Sequence, residues 1–140
     1  MKKNLLIAIC FAATVLSSIA QGNNFAQSLK NCSSYSESGV VETEGLKVKS
    51  TKSILGWQGN RCVYKENIVF GDINSTVTCK LTKNQITELT SVMNAYSIVQ
   101  QYSNEKVDTS SLSKVQDNPV VKVWNKYLQD PSTCVIEGVK

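Results

Sequence analysis

Four cysteines constrain this chain more than any other residue type. They stand at positions 32, 62, 79 and 134, and a fifth, Cys10, lies in an apolar segment near the start. No two of them form a Cys-x-x-Cys pair or match the spacing of a zinc knuckle, and the chain contains no histidine. A redox pair and a metal site are therefore disfavoured. An even set of widely spaced cysteines predicts two structural disulfides in a chain that reaches an oxidising compartment.

The first 20 residues have the layout of an export signal. Lys2 and Lys3 supply positive charge, an apolar run extends from Leu5 to Leu16, and Ser18-Ile19-Ala20 is a small-x-small cleavage site. The run of about 12 residues is shorter than the roughly 20 that a membrane-spanning helix needs. We therefore predict a signal peptide over residues 1–20, cleaved after Ala20, and a mature protein in the periplasm or outside the cell.

Cleavage at that point changes the cysteine count and the charge. Cys10 is removed, so four cysteines remain, and the formal net charge of +4 loses the contributions of Lys2 and Lys3. An uncleaved anchor and a lipoprotein modified at Cys10 are the alternatives; the Lys-Lys start is typical of bacterial export. The small remaining charge and the single arginine, Arg61, argue against nucleic-acid binding. Residues 21–140 contain no second long apolar run, so we expect no membrane span after cleavage.

Residues 21–140 are long enough for one domain with its own core. Alternating apolar and polar residues between Leu46 and Leu81 predict a three-stranded antiparallel meander. An extra short strand at Val40–Thr43 and a closing strand at Cys134–Val139 are further expectations. The composition of Ser33–Gly39 predicts a loop, and Gly56–Asn60 predicts a turn.

Helical periodicity appears in three other segments. A short helix is predicted from Asn24 to Cys32. Thr82 and Gln85 have capping-box spacing and precede a longer amphipathic helix that runs to about Tyr102. Asn118-Pro119 is a helix start, and Asp130-Pro131 stops that helix. The fold class is therefore α+β: a small antiparallel sheet of three to five strands packed against two or three helices and stabilised by disulfides.

The hairpin predicts how the cysteines pair. If it turns about Phe70-Gly71, Cys62 lies directly opposite Cys79 at a separation that suits a disulfide. Cys32 and Cys134 would then form the second bond. Four cysteines allow three connectivities, and Cys32–Cys79 with Cys62–Cys134 is the alternative to this pairing.

Signals of catalysis are weak. Without histidine the commonest general base and the Ser-His and Cys-His arrangements are missing. Glu42, Glu44 and Asp72 are candidates for carboxylate chemistry, but exposed positions in a strand and a turn explain them equally well. We therefore assign no catalytic residue and expect no metal or cofactor.

Two features are candidates for a binding surface. The first is a set of lysines that we predict on the outer face of the sheet: Lys47, Lys49, Lys65 and Lys80. The simpler explanation of these lysines is that this face of the sheet is exposed to solvent. The second is Trp57, an exposed anchor if it does not fold back over the edge of the core.

The hypothesis with the most support is an exported, non-catalytic binding or inhibitor-type module. Its partner would be a component of the cell envelope or another protein, and its oligomeric state is open. The alternatives are a histidine-free hydrolase that uses carboxylates and a structural subunit of an envelope complex.

Overall fold

The computed structural model describes residues 24–43, 45–103 and 117–138. Five strands form one antiparallel sheet in which every strand pairs with the next in chain order. The strands are β1 (Tyr35–Thr43), β2 (Leu46–Gln58), β3 (Arg61–Phe70), β4 (Ile73–Leu81) and β5 (Cys134–Glu137). The predicted signal peptide, Glu44 and residues 104–116 lie outside the described part of the chain.

Three helices pack on one face of this sheet. They are α1 (Asn24–Asn31), α2 (Lys83–Ser103) and α3 (Pro119–Leu128), and α2 contacts both of the others. None of the described helices is long and apolar enough to cross a membrane. The predicted α+β fold, with a meander and a closing strand, is confirmed.

Local capping interactions start the two longer helices where the sequence predicts. The Gln85 amide donates to the Thr82 hydroxyl at 3.2 Å, and the Thr82 amide donates to the Gln85 side-chain oxygen at 2.9 Å. At α3 the Val120 amide donates to the Asn118 side chain at 2.9 Å, with Pro119 next to it. Side chains therefore satisfy amides that the first helical turn leaves without partners.

The sheet is longer than the sequence predicts. The predicted loop Ser33–Gly39 joins β1 from Tyr35 onward, because Tyr35–Gly39 pair with Ile54–Ser50 of β2. The predicted turn at Gly56–Asn60 shrinks to Gly59 and Asn60, since β2 continues to Gln58. Serine-rich composition does not prevent strand formation when a neighbouring strand supplies hydrogen-bond partners.

The favoured disulfide pairing is wrong. The structure contains Cys32–Cys62 and Cys79–Cys134, with Cα–Cα distances of 5.9 and 4.1 Å. The hairpin turns at Gly71-Asp72, one residue later than predicted, so every partner moves by two residues. Cys79 therefore lies opposite Tyr64 on β3, and the pairing of β4 with β5 places it opposite Cys134.

Both disulfides lie inside the single hydrophobic core between the sheet and the helices. Tyr64 occupies its centre, with its ring 5.8 Å from that of Phe25 on α1 and 5.5 Å from that of Trp124 on α3, centroid to centroid. All three side chains are almost completely buried. One aromatic cluster thus joins the sheet to its first and last helices.

Candidate functional site

The four lysines of the predicted surface all lie exposed on the outer face of the sheet, the face without helices. They form two separate pairs. Lys49 stands opposite Val69, whereas Lys65 stands opposite Ser53, four residues farther along β2. That separation is about 13 Å along the strand, so Lys47 and Lys49 do not form one patch with Lys65 and Lys80.

Trp57 lies on the other face because of an irregularity in β2. Ile54 pairs with Tyr64, but Gly56 pairs with Val63, so Leu55 is an extra residue. This β-bulge reverses the alternation, and Trp57 stands opposite Cys62, whose side chain points into the core. Trp57 and the lysines are therefore not parts of one binding surface.

We call Trp57 and Lys83 the Trp57 ridge. The indole side chain is 41% exposed, and the Lys83 ammonium lies 6.0 Å from the centre of its ring. This distance is at the outer limit of a cation–π interaction, so the lysine is held only loosely over the ring. Strand β2 and the first turn of α2 hold the two side chains next to each other.

A groove lies on each side of the ridge. The first, of about 640 Å³, is bordered by the β2–β3 turn and the start of α2, with Gly59, Asn60, Thr82 and Asn84 in its lining. The second, of about 390 Å³, follows α2 and also contains Lys30 from α1, together with Thr87, Ser91 and Asn94. An exposed tryptophan between two grooves is a typical anchor for a binding partner.

A buried row of charges, which the sequence analysis missed, crosses the inner face of the sheet. Glu37, Lys52 and Glu66 stand opposite one another on β1, β2 and β3. The Lys52 ammonium lies 3.5 Å from Glu66 Oε1 and 3.9 Å from Glu37 Oε1, and the Tyr35 hydroxyl donates to Glu37 Oε2 at 2.9 Å. The alternation of β2 could have predicted this burial, because Lys52 is an even number of residues from the buried Val48 and Ile54 and so lies on the same face.

Burial changes the ionisation of this row. It lowers the pKa of the Lys52 ammonium, a shift that the carboxylates of Glu66 and Glu37 oppose. Burial also raises the pKa of Tyr64 well above its ordinary value, and Glu66 and Glu37 add to that shift. Groups with strongly shifted pKa values can mark active sites. Here, however, Glu66 and Lys52 have almost no exposed surface with which to meet a substrate, which favours a structural role.

The carboxylates of the hydrolase hypothesis do not occupy a comparable position. Glu42 is exposed on the outer face opposite Lys47, and Asp72 is exposed in the β3–β4 turn. Within the described residues no group of three or more His, Cys, Asp or Glu side chains is placed to hold a metal ion. The Trp57 ridge is thus a candidate site with more support than these carboxylates.

Comparisons of the chain with protein-family models, with curated proteins and with solved structures find no match. The ridge must therefore be judged by its own geometry and chemistry.

Proposed function

We propose that the protein is an exported, disulfide-stabilised binding module that holds its partner at the Trp57 ridge. The observation that carries this proposal is the exposed tryptophan on the helix-bearing face, between two grooves. The predicted export signal and the two disulfides agree with an oxidising location. The partner is an envelope component or another exported protein, and inhibition of an enzyme is one form that the binding takes.

Rigid support of Trp57 favours binding. The side chain lies on a strand of the central sheet, and Cys62, its cross-strand neighbour, is tied to Cys32 at the end of α1. A partner that covers the indole therefore does not have to order a mobile loop. The entropy cost of such ordering does not reduce the binding free energy.

The experiment immobilises the protein and its variants and exposes them to the exported and envelope fractions of the source organism. We expect a partner that the wild type retains and Trp57→Ala loses. Leu55→Ala is the matched control, because Leu55 is 51% exposed two residues away but lines a pocket on the outer face with Lys65 and Lys80. Thermal unfolding of each variant verifies that it is folded.

Two results would count against the proposal. Retention that survives Trp57→Ala but disappears in the double variant Lys47→Glu/Lys49→Glu would move the binding surface to the outer face. No retained component in either fraction would remove the support for a binding module.

A further inference from the structure

The charge of the two grooves restricts what binds there. Lys83 contributes to both grooves and Lys30 to the second, while no Asp or Glu is among their described lining residues. Among the described lining residues an anionic ligand therefore meets two ammonium groups and no carboxylate. Both ammonium groups repel a cationic ligand.

Apart from Trp57 and Ile86, the described lining side chains carry hydrogen-bonding groups, although the surface that both grooves expose is more apolar than polar. Exposed amides and a hydroxyl are contributed by Asn60, Asn84, Ser91 and Asn94. The apolar side chains in the described lining are Trp57 and Ile86, and Ile86 is buried, so it offers almost no surface. Peptide partners usually anchor aliphatic or aromatic side chains against apolar side chains of a pocket, and in the described lining Trp57 alone exposes such a side chain.

A sugar ring fits these features better. The C–H bonds on one face of a sugar pack against the electron-rich face of an indole, and its hydroxyls pair with amides and hydroxyls around the ring. Acidic groups on the sugar then lie against the lysines. Lys83 supports this arrangement because its ammonium is only loosely held by the Trp57 ring.

The length of the site indicates a polymer. The second groove follows α2 from Lys83 to Asn94, which is about 16 Å at 1.5 Å per residue, and the first groove extends the site past the β2–β3 turn. We propose that the Trp57 ridge binds an acidic polysaccharide, with one sugar stacked on Trp57 and carboxylate or sulfate groups against Lys83 and Lys30. This inference rests on the proposed function and names the class of ligand.

Calorimetric titration with four probes tests it: polygalacturonate, heparin, neutral dextran and poly-L-glutamate. We expect the protein to bind at least one of the two acidic polysaccharides, dextran not to bind, and poly-L-glutamate to bind at least about tenfold more weakly than the better acidic polysaccharide. Trp57→Ala should weaken polysaccharide binding at least about tenfold, the usual effect of removing an anchor. Trp57→Phe, which keeps an aromatic face, should retain most of the affinity.

Charge is tested with a matched pair of lysine variants. Lys83→Gln should weaken binding at about 0.1 M salt and have little effect at about 1 M, where the Debye length falls from about 10 to about 3 Å. Lys65→Gln makes the same charge change on the outer face and should leave the affinity unchanged. Equal losses in both variants would show attraction to the net charge alone and would overturn the proposed site.

The other outcomes separate this inference from the proposed function. Dextran binding as tightly as the acidic polymers would overturn the acidic class. Poly-L-glutamate binding as tightly as either polysaccharide would overturn the choice of a sugar ligand. If no polysaccharide binds while Trp57→Ala still abolishes retention of a protein from the exported fraction, the inference fails and the binding module stands. If no polysaccharide binds and no partner is retained through Trp57, both this inference and the proposed function fail.

Discussion

Lys52 and Trp57 lie on the same strand, and each has the burial expected of the other. Lys52 is 3% exposed in the middle of β2, whereas Trp57 is 41% exposed near the end of β2. Lysine is almost never fully buried without a partner, and tryptophan is usually well covered. Position in the sheet therefore determines burial at both sites, and the usual preferences of the side chains do not.

The reasons for the two inversions differ. Lys52 follows the regular alternation of β2 onto the inner face, where Glu66 and Glu37 receive its ammonium. Trp57 follows the bulge at Leu55 and reaches the rim of the same face, beside Lys83. The buried Lys52 is paired with Glu66 and Glu37 and stabilises the fold. The exposed tryptophan remains accessible to a ligand.

Removal of the buried cation should have the largest effect on stability. Lys52→Met keeps much of the side chain's volume but leaves Glu66 buried without its cation. Loss of one member of a buried ion pair costs about 3–5 kcal/mol, and we expect a decrease of that size in the free energy of unfolding. Urea denaturation with the disulfides intact measures it.

A double variant separates the charge from the packing. In Lys52→Met/Glu66→Leu the buried pair is replaced by apolar groups, and such replacements are neutral or stabilising by about 1–4 kcal/mol. Glu37 is 24% exposed and can reach water in this variant. If the double variant is as unstable as Lys52→Met, then packing around the aliphatic chain of Lys52, and not its charge, stabilises the sheet.

A substitution at Gly56 should have a smaller effect and tests what places Trp57. Gly56 follows the bulge residue and has φ +107°, a backbone conformation that side chains with a Cβ disfavour. No atom lies within 4 Å of a Cβ added there, so Gly56→Ala tests backbone strain alone. We expect a loss of about 1–3 kcal/mol in the free energy of unfolding.

Gly39→Ala is the control for this substitution. Gly39 also has open space around an added Cβ, but its φ is not positive. It should leave stability nearly unchanged or raise it by about 0.4–1 kcal/mol, because alanine restricts the unfolded chain. Equal losses at both positions would mean that the conformation of Gly56 does not determine how the bulge forms.

The sequence predicts the parts of this fold that depend on near neighbours. The caps at Thr82 and Asn118 involve residues within three positions, so their spacing is enough to place α2 and α3. The disulfides depend on the register of two strand pairs. Placing the β3–β4 turn at Gly71-Asp72 moves Cys79 from Cys62 to Tyr64, and the register between β4 and β5 brings it to Cys134.

The candidate site depends on features that the sequence shows only in part. Trp57 is conspicuous, but the bulge that turns it away from the outer face follows from three-dimensional pairing with β3. Lys52 and Glu66 are in phase with buried residues of their strands, and this signal was available. It was missed because a charged residue in a strand is usually assigned to the solvent face.

The smallest effect on stability is expected for Trp57→Phe, and fluorescence makes it informative. Trp57 and Trp124 are the chain's two tryptophans, one partly exposed and the other completely buried. Trp57→Phe keeps an aromatic ring at the ridge, so stability should change by no more than about 0.5 kcal/mol, as at other partly exposed positions.

The remaining fluorescence of the Trp57→Phe protein should come from Trp124 alone and should be blue-shifted and protected from quenching by acrylamide. Trp124→Phe should show the opposite, emission that acrylamide quenches readily. Strong quenching of the Trp57→Phe protein would contradict the burial of Trp124, and weak quenching of the Trp124→Phe protein would show that Trp57 is covered and cannot serve as the anchor that the binding proposal requires.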